Sequence, residues 1–127
     1  MRLFGFRVRD PQRDRAADFK RIHRLSASFV DLMTGIEAES AGLRDRRQRA
    51  ADDAAFSLEA LENDGHRGMS SRVNELTGMM TRYSGRIASL KNHAAFINDL
   101  RIRTESFAKE NGVGEPMPPA DRGESLT

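Results

Sequence analysis

The stretch that decides the fold is ENDGHRGMSS, residues 62–71. Asn63, Asp64 and Gly65 form a helix-stop sequence, because Asn and Gly tolerate the left-handed backbone that closes a helix. Gly68 adds a second pliable point. Ser70 or Ser71 can then offer a capping oxygen to the free amides of a new helix, with Glu75 in the favoured first turns. A helical chain that stops and restarts over so short a distance doubles back on itself. Residues 64–70 are therefore expected to be an interhelical turn, and His66 and Arg67 to be turn residues rather than a site.

Upstream, Asp10-Pro11 reads as a helix start: Asp supplies a capping oxygen, and Pro at the first helical position forfeits no hydrogen bond. The next proline is Pro116. Small or apolar residues recur at steps of three and four through Phe19, Ile22, Ser26, Phe29, Met33, Ile36, Ser40, Leu43, Arg47, Ala50, Ala54, Ser57 and Leu61. This is a heptad seam diluted by serines and one arginine. It predicts a helix over 11–63, about 75–80 Å long at the α-helical rise. Gly35 and Gly42 each cost such a helix about 1 kcal/mol relative to Ala, which leaves open a bend at either one.

Downstream the seam is cleaner. Val73, Leu76, Met80, Tyr83, Ile87, Leu90, Ala94 and Ile97 keep the rhythm and predict a helix over 71–111, about 60 Å long. Beyond Ile97 the same phase meets Arg101 and Thr104, while the apolar residues move to Leu100, Ile102 and Phe107. A shift in phase is expected there, where one packing mode gives way to another. Pairing the seams across the turn supports an antiparallel hairpin. Leu61 with Val73 and Ala54 with Met80 have positions summing to 134, and Ala50 with Tyr83, Leu43 with Leu90 and Ile36 with Ile97 to 133. Two of the five pairs, Ala54 with Met80 and Ala50 with Tyr83, set a small residue on the first helix against a large one on the second, as a constant helix separation favours.

A lone hairpin leaves Leu25, Val30, Leu32, Phe56, Met79, Phe96, Leu100 and Ile102 off the seam, and apolar residues so placed call for a neighbour. The expected fold is all-α: a long antiparallel, coiled-coil-like helical hairpin that dimerises into a four-helix bundle. An N-terminal arm (1–10) precedes the hairpin (11–111). From Gly112 the helical pattern stops, and the Pro- and Gly-rich residues 112–127 are expected to be a disordered tail.

Composition agrees with thin, elongated helices. Of 127 residues, 38% are hydrophobic and 31% charged, with no Trp and one Tyr, too little for a thick core. Cysteine is absent, which excludes disulfides, thiolate metal sites and a cysteine nucleophile. No apolar run reaches the roughly 20 residues needed to span a bilayer. The opening MRLFGFRVRDP is too short and too Arg-interrupted for a signal peptide, so a cytoplasmic location, with peripheral membrane contact as a variant of it, is expected.

Chemistry finds little support. His23, His66 and His93 lack the spacing of a zinc-binding helix, and no phosphate-cradling, dinucleotide or nucleophile-elbow motif occurs. Asp45/Arg49, Arg49/Asp53, Asp99/Arg103 and Arg101/Glu105 are helical i,i+4 pairs on solvated faces. His93 is expected to lie near Glu37 and Glu39 as a salt-linked side chain. No catalytic residue, cofactor or metal ligand is assigned, and an enzyme is the least supported class.

The N-terminal arm is more suggestive. Phe4, Phe6 and Val8 alternate with Gly5, Arg7 and Arg9 at a period of two, the pattern of an extended segment with one apolar face. Residues 1–24 hold eight Lys or Arg against three Asp, a local excess of five that leaves the remaining chain at −3 in a net +2 protein. Hairpin geometry brings Arg13, Arg15, Lys20, Arg21 and Arg24 to the same end as Arg101, Arg103 and Lys109. The expected contact residues are Phe4, Phe6, Val8, Arg21, Arg24, Leu25, Leu32, Leu100 and Ile102. The seam is carried by Phe29, Ile36, Leu43, Leu61, Val73, Leu76, Met80, Tyr83, Ile87, Leu90 and Ile97. The sequence thus favours a non-enzymatic adaptor, assembly or chaperone-like protein, homodimeric and acting on a protein partner at the open end. The alternative is a peripheral membrane or nucleic-acid-binding protein that uses the basic tip and the Phe-containing arm.

Overall fold

A computed structural model describes residues 10–64 and 67–114. Two long helices, α1 (Pro11–Asp64) and α2 (Arg67–Glu110), pack as a hairpin, and there is no strand among the described residues. The start of α1 is the cap expected of Asp-Pro: the Gln12 amide donates to Asp10 Oδ1 at 3.0 Å, and the Asp14 amide donates to the Asp10 carbonyl. α1 runs unbroken through Gly35 and Gly42, so neither glycine ends it.

The turn is shorter than the expected 64–70. α2 begins at Arg67, not Ser71, which places Gly68, Ser70 and Ser71 inside it. Gly68 is cheap there, because the first amides of a helix have no intrahelical acceptor to lose. Gly65 and His66 lie outside the described residues.

The other end also departs from expectation. Residues 112–114 do not open a structureless tail; they close α2. Gly112 adopts φ +66°, the Gly112 amide donates to the Lys109 carbonyl, and the Val113 amide reaches back to the Ala108 carbonyl at 2.9 Å. That pair of bonds is a Schellman motif, in which a left-handed glycine turns the chain to satisfy the last free carbonyls. Val113 and Ala108 are both buried, as the apolar contact of that motif requires. Residues 115–127 lie outside the described residues.

The chain divides into two compact units, residues 31–97 and the pair of flanking segments 1–30 and 98–127. In the 31–97 unit, burial follows the predicted rhythm. Ser40, Leu43, Ala50, Ser57, Leu76 and Leu90 are buried, and Met33, Ile36, Arg47, Ala54, Leu61, Val73, Met80, Tyr83, Ile87, Ala94 and Ile97 are half-buried. Leu76 and Leu90 are the largest fully buried side chains. Arg47 occupies a seam position because its stem can lie along the interface while its head leaves it; Nη1 donates to Ser84 Oγ at 3.3 Å.

In the terminal unit, Phe29 is buried and Phe19, Ile22 and Ser26 are half-buried. On the α2 side the expected phase shift does not occur. Burial continues in register through half-buried Arg101 and Thr104 to buried Ala108, while Ile102 and Phe107 stay about half exposed at 49% and 54%. The polar members are accommodated locally. Thr104 Oγ1 donates to the Leu100 carbonyl, and the Arg101 guanidinium holds Asn98 Oδ1 and Glu105 Oε2. Their polar atoms are satisfied within α2, so the apolar stems are free to face the seam.

Candidate functional site

Of the residues expected to make contacts, Phe4, Phe6 and Val8 lie outside the described residues. Arg21, Arg24, Leu25, Leu100 and Ile102 belong to the terminal unit, and Leu32 belongs to the 31–97 unit. The expected set is thus divided between two units, which are taken in turn.

The terminal unit exposes Leu25 (43%), Val30 (60%), Ile102 and Phe107, and half-buries Leu100. Leu25, Leu100 and Phe107 each immediately precede an inward-facing residue: Ser26, Arg101 and Ala108. In an antiparallel pair of helices, the residues preceding the seam positions line the same flank of both partners. The three therefore share one side of the unit. Phe107 was visible in the sequence only as a member of the supposed new phase; its exposure comes from the seam keeping the old one.

The basic character of this unit is weaker than the arginine count suggests. Arg21 pairs with Asp18 at 3.0 Å, Arg103 with Asp99 at 3.1 Å and Arg101 with Glu105 at 2.5 Å. Arg15 Nη2 donates to the Gly112 carbonyl at 2.9 Å, tying the start of α1 to the end of α2. Over residues 10–30 and 98–114, eight Lys or Arg face six Asp or Glu, a net of +2. Arg13, Lys20, Arg24 and Lys109 have no ion-pair partner among the described residues. His23 stacks on Phe19 with ring centroids 5.5 Å apart.

In the 31–97 unit, the flank preceding the seam carries ion pairs at two levels, alongside the apolar Leu32 and Met79. Arg86 grips Glu39 with two bonds, Nε to Oε2 at 2.8 Å and Nη2 to Oε1 at 3.2 Å, and Arg72 approaches Asp53 at 3.8 Å. The Arg86 bond holds the Glu39 carboxyl below the usual carboxylate range against partial desolvation, and the positive potential of Arg86 and His93 adds to it. Glu39 raises Arg86 in return. His93 and Glu39 share a neighbourhood as expected, but His93 forms no ion pair among the described residues, and Arg86, which was not expected, holds Glu39 instead. Its signal was positional, since Glu39 and Arg86 each precede a seam residue, Ser40 and Ile87. Of the expected i,i+4 pairs, Asp45–Arg49 forms, whereas Asp53 turns across to Arg72 instead of to Arg49.

Beside the Glu39–Arg86 pair is an open hollow of about 520 Å³, lined among others by Leu32, Gly35, Ile36, Leu90, His93 and Phe96. Leu32 and Phe96 form exposed walls, at 50% and 61%. Ile36 and Ile97 line it together, and Ala50 and Tyr83 line a smaller one, which keeps these expected partners in one neighbourhood. No group of three or more metal-ligating side chains occurs among the described residues, and no described helix is long and apolar enough to cross a membrane.

Comparison with protein-family models, with curated proteins and with solved structures finds no match. The functional reading therefore rests on these surfaces alone.

Proposed function

We propose that this chain is a non-enzymatic, coiled-coil-like adaptor, assembly or chaperone-like protein of the cytoplasm that engages a protein partner through its open end. The observation that carries this reading is the set of large apolar side chains left exposed in the terminal unit, Leu25, Ile102 and Phe107, beside a helix pair whose own seam is already filled. A partner helix or strand would gain most of its affinity by covering a few such side chains. Arg24 and Arg21 would serve at the rim. Two copies would pair through the 31–97 unit, where Leu32 and Phe96 are open to a second hairpin.

The second reading, attachment to a membrane surface or nucleic acid through the basic tip, draws on Arg13, Lys20, Arg24 and Lys109. It ranks below the first because a local net of +2 offers few phosphate contacts. One experiment separates them: capture from nuclease-treated host lysate with the wild-type chain and with Leu25→Asp/Ile102→Asp, at low and high salt. A stoichiometric protein that survives salt and is lost with the variant supports the adaptor. Capture that collapses with salt and ignores the variant overturns it in favour of the basic tip.

A further inference from the structure

We propose that Asn111–Gly112 is a site of spontaneous deamidation, that the closure of α2 guards it through the Arg15–Gly112 bond, and that reaction there loosens the closure irreversibly. The inference does not depend on the adaptor reading.

Of the five asparagines, only Asn111 is followed by glycine. The reaction requires the Gly112 amide nitrogen to attack Cγ of Asn111. A residue without a side chain leaves that nitrogen open to approach and its backbone free to turn. As the new N–C bond forms, the bond from Cγ to Nδ2 breaks, and Nδ2 departs with the amide proton as ammonia. A cyclic imide remains. Water opens it at one carbonyl to give aspartate, or at the other to give isoaspartate, whose backbone runs through the side-chain carbon. The sum is asparagine and water going to an acid and ammonia, with no change of redox state.

In the folded chain both reacting groups are engaged elsewhere. Asn111 Nδ2 donates to the Phe107 carbonyl at 2.8 Å, and the Gly112 amide donates to the Lys109 carbonyl at 3.3 Å. Gly112 is also held from outside its own turn. Its carbonyl accepts Arg15 Nη2 of α1 at 2.9 Å, and the buried Val113 next to it bonds back to Ala108. Ring closure has to break the first two bonds and turn a peptide that the others fix. Asn111 is nonetheless exposed, so water meets it as soon as the closure opens. Local opening therefore sets the rate. The products cannot rebuild the closure. Aspartate puts a carboxylate where Nδ2 had donated to the Phe107 carbonyl, and adds negative charge at the negative end of the helix dipole. Isoaspartate lengthens the backbone inside the turn that Arg15 and Val113 hold in register.

Incubating the full chain in warm neutral buffer and mapping its peptides by mass reads the conversion of Asn111, with a peptide of residues 107–114 as the open reference. The folded wild type should react about tenfold or more slowly than the peptide, which corresponds to about 1.4 kcal/mol of protection. Arg15→Ala leaves the Asn-Gly dipeptide untouched and should react about threefold or more faster than the wild type, the effect of one lost hydrogen bond. Arg103→Ala removes an ion pair with Asp99 within α2 and should match the wild type. Far-UV circular dichroism verifies that both variants keep their helices. Asn111→Asp should speed amide exchange over residues 98–113. Peptide-like reaction in the folded wild type overturns the proposal, as does an Arg15→Ala rate at or below the wild-type one. Equal acceleration in Arg103→Ala assigns the protection to α2 as a whole and overturns the guarding role of Arg15. Unchanged exchange in Asn111→Asp overturns the loosening.

Discussion

Three glycines receive the same substitution and should answer with opposite signs. Gly35 and Gly42 sit in the interior of α1, and a β-carbon built on either meets nothing within 4 Å. Replacing each with Ala adds no clash and removes unfolded-state freedom, a gain of about 0.5–1 kcal/mol per site. The two lie seven residues apart, about 10 Å along the helix, so their effects should add. Gly112 differs only in backbone. Its would-be β-carbon has as much room, with Arg15 Nη2 at 3.8 Å, but its φ is +66°. An L-residue there costs about 1–2 kcal/mol, and the strain falls on the turn that the Arg15 bond and Val113 hold in place. Urea unfolding reads all three. With m near 1–3 kcal/mol/M for a small protein, Gly35→Ala/Gly42→Ala should raise the midpoint by about 0.3 M or more, and Gly112→Ala should lower it by a similar amount. Amide exchange over residues 98–113 should accelerate in Gly112→Ala alone. A neutral or raised midpoint for Gly112→Ala would refute the left-handed cap. A lowered midpoint for Gly35→Ala would show that this helix face is occupied in solution.

Continuity of the seam past Ile97 can be tested by charge. Ala108→Asp buries a carboxylate at a 3% exposed position and should cost about 2 kcal/mol or more, whereas Ile102→Asp should leave stability within about 0.5 kcal/mol; the reverse order in thermal or urea unfolding would mean that the shifted apolar set faces inward. The Glu39–Arg86 pair makes an acid-side prediction. Because the folded Glu39 pKa is depressed, its contribution is complete above the unfolded value of about 4.3 and is lost as pH falls through the folded value. The urea midpoint should therefore drop less between pH 5 and 3 in Glu39→Gln than in the wild type. An identical acid profile would show that the pair contributes nothing measurable, as many exposed pairs do.

Local and strictly periodic features are legible in the residues alone. Asp10-Pro11 starts α1 because a cap needs only one side chain and its neighbouring amides. α1 ends at Asp64, where the Asn-Asp-Gly stop signal lies, because Gly and Asn favour closing a helix over continuing it. The steps of three and four mark Leu43, Ala50, Leu76 and Leu90 as inward-facing because helix geometry repeats at nearly that interval. Which face of α2 is buried beyond Ile97 depends instead on packing. Leu100, Ile102 and Phe107 are a convincing apolar set in isolation, yet changing phase would require α2 to unwind locally, whereas Arg101 and Thr104 can stay in phase by bonding within their own helix. The regular helix wins, and the apolar residues are left outside. The Glu39–Arg86 bond is of the same kind: it joins residues 47 apart whose meeting depends on how the helices pack, and no window of consecutive residues contains that information. The Gly112–Val113 closure is local by contrast, made within residues 108–113 by a glycine that can turn left-handed.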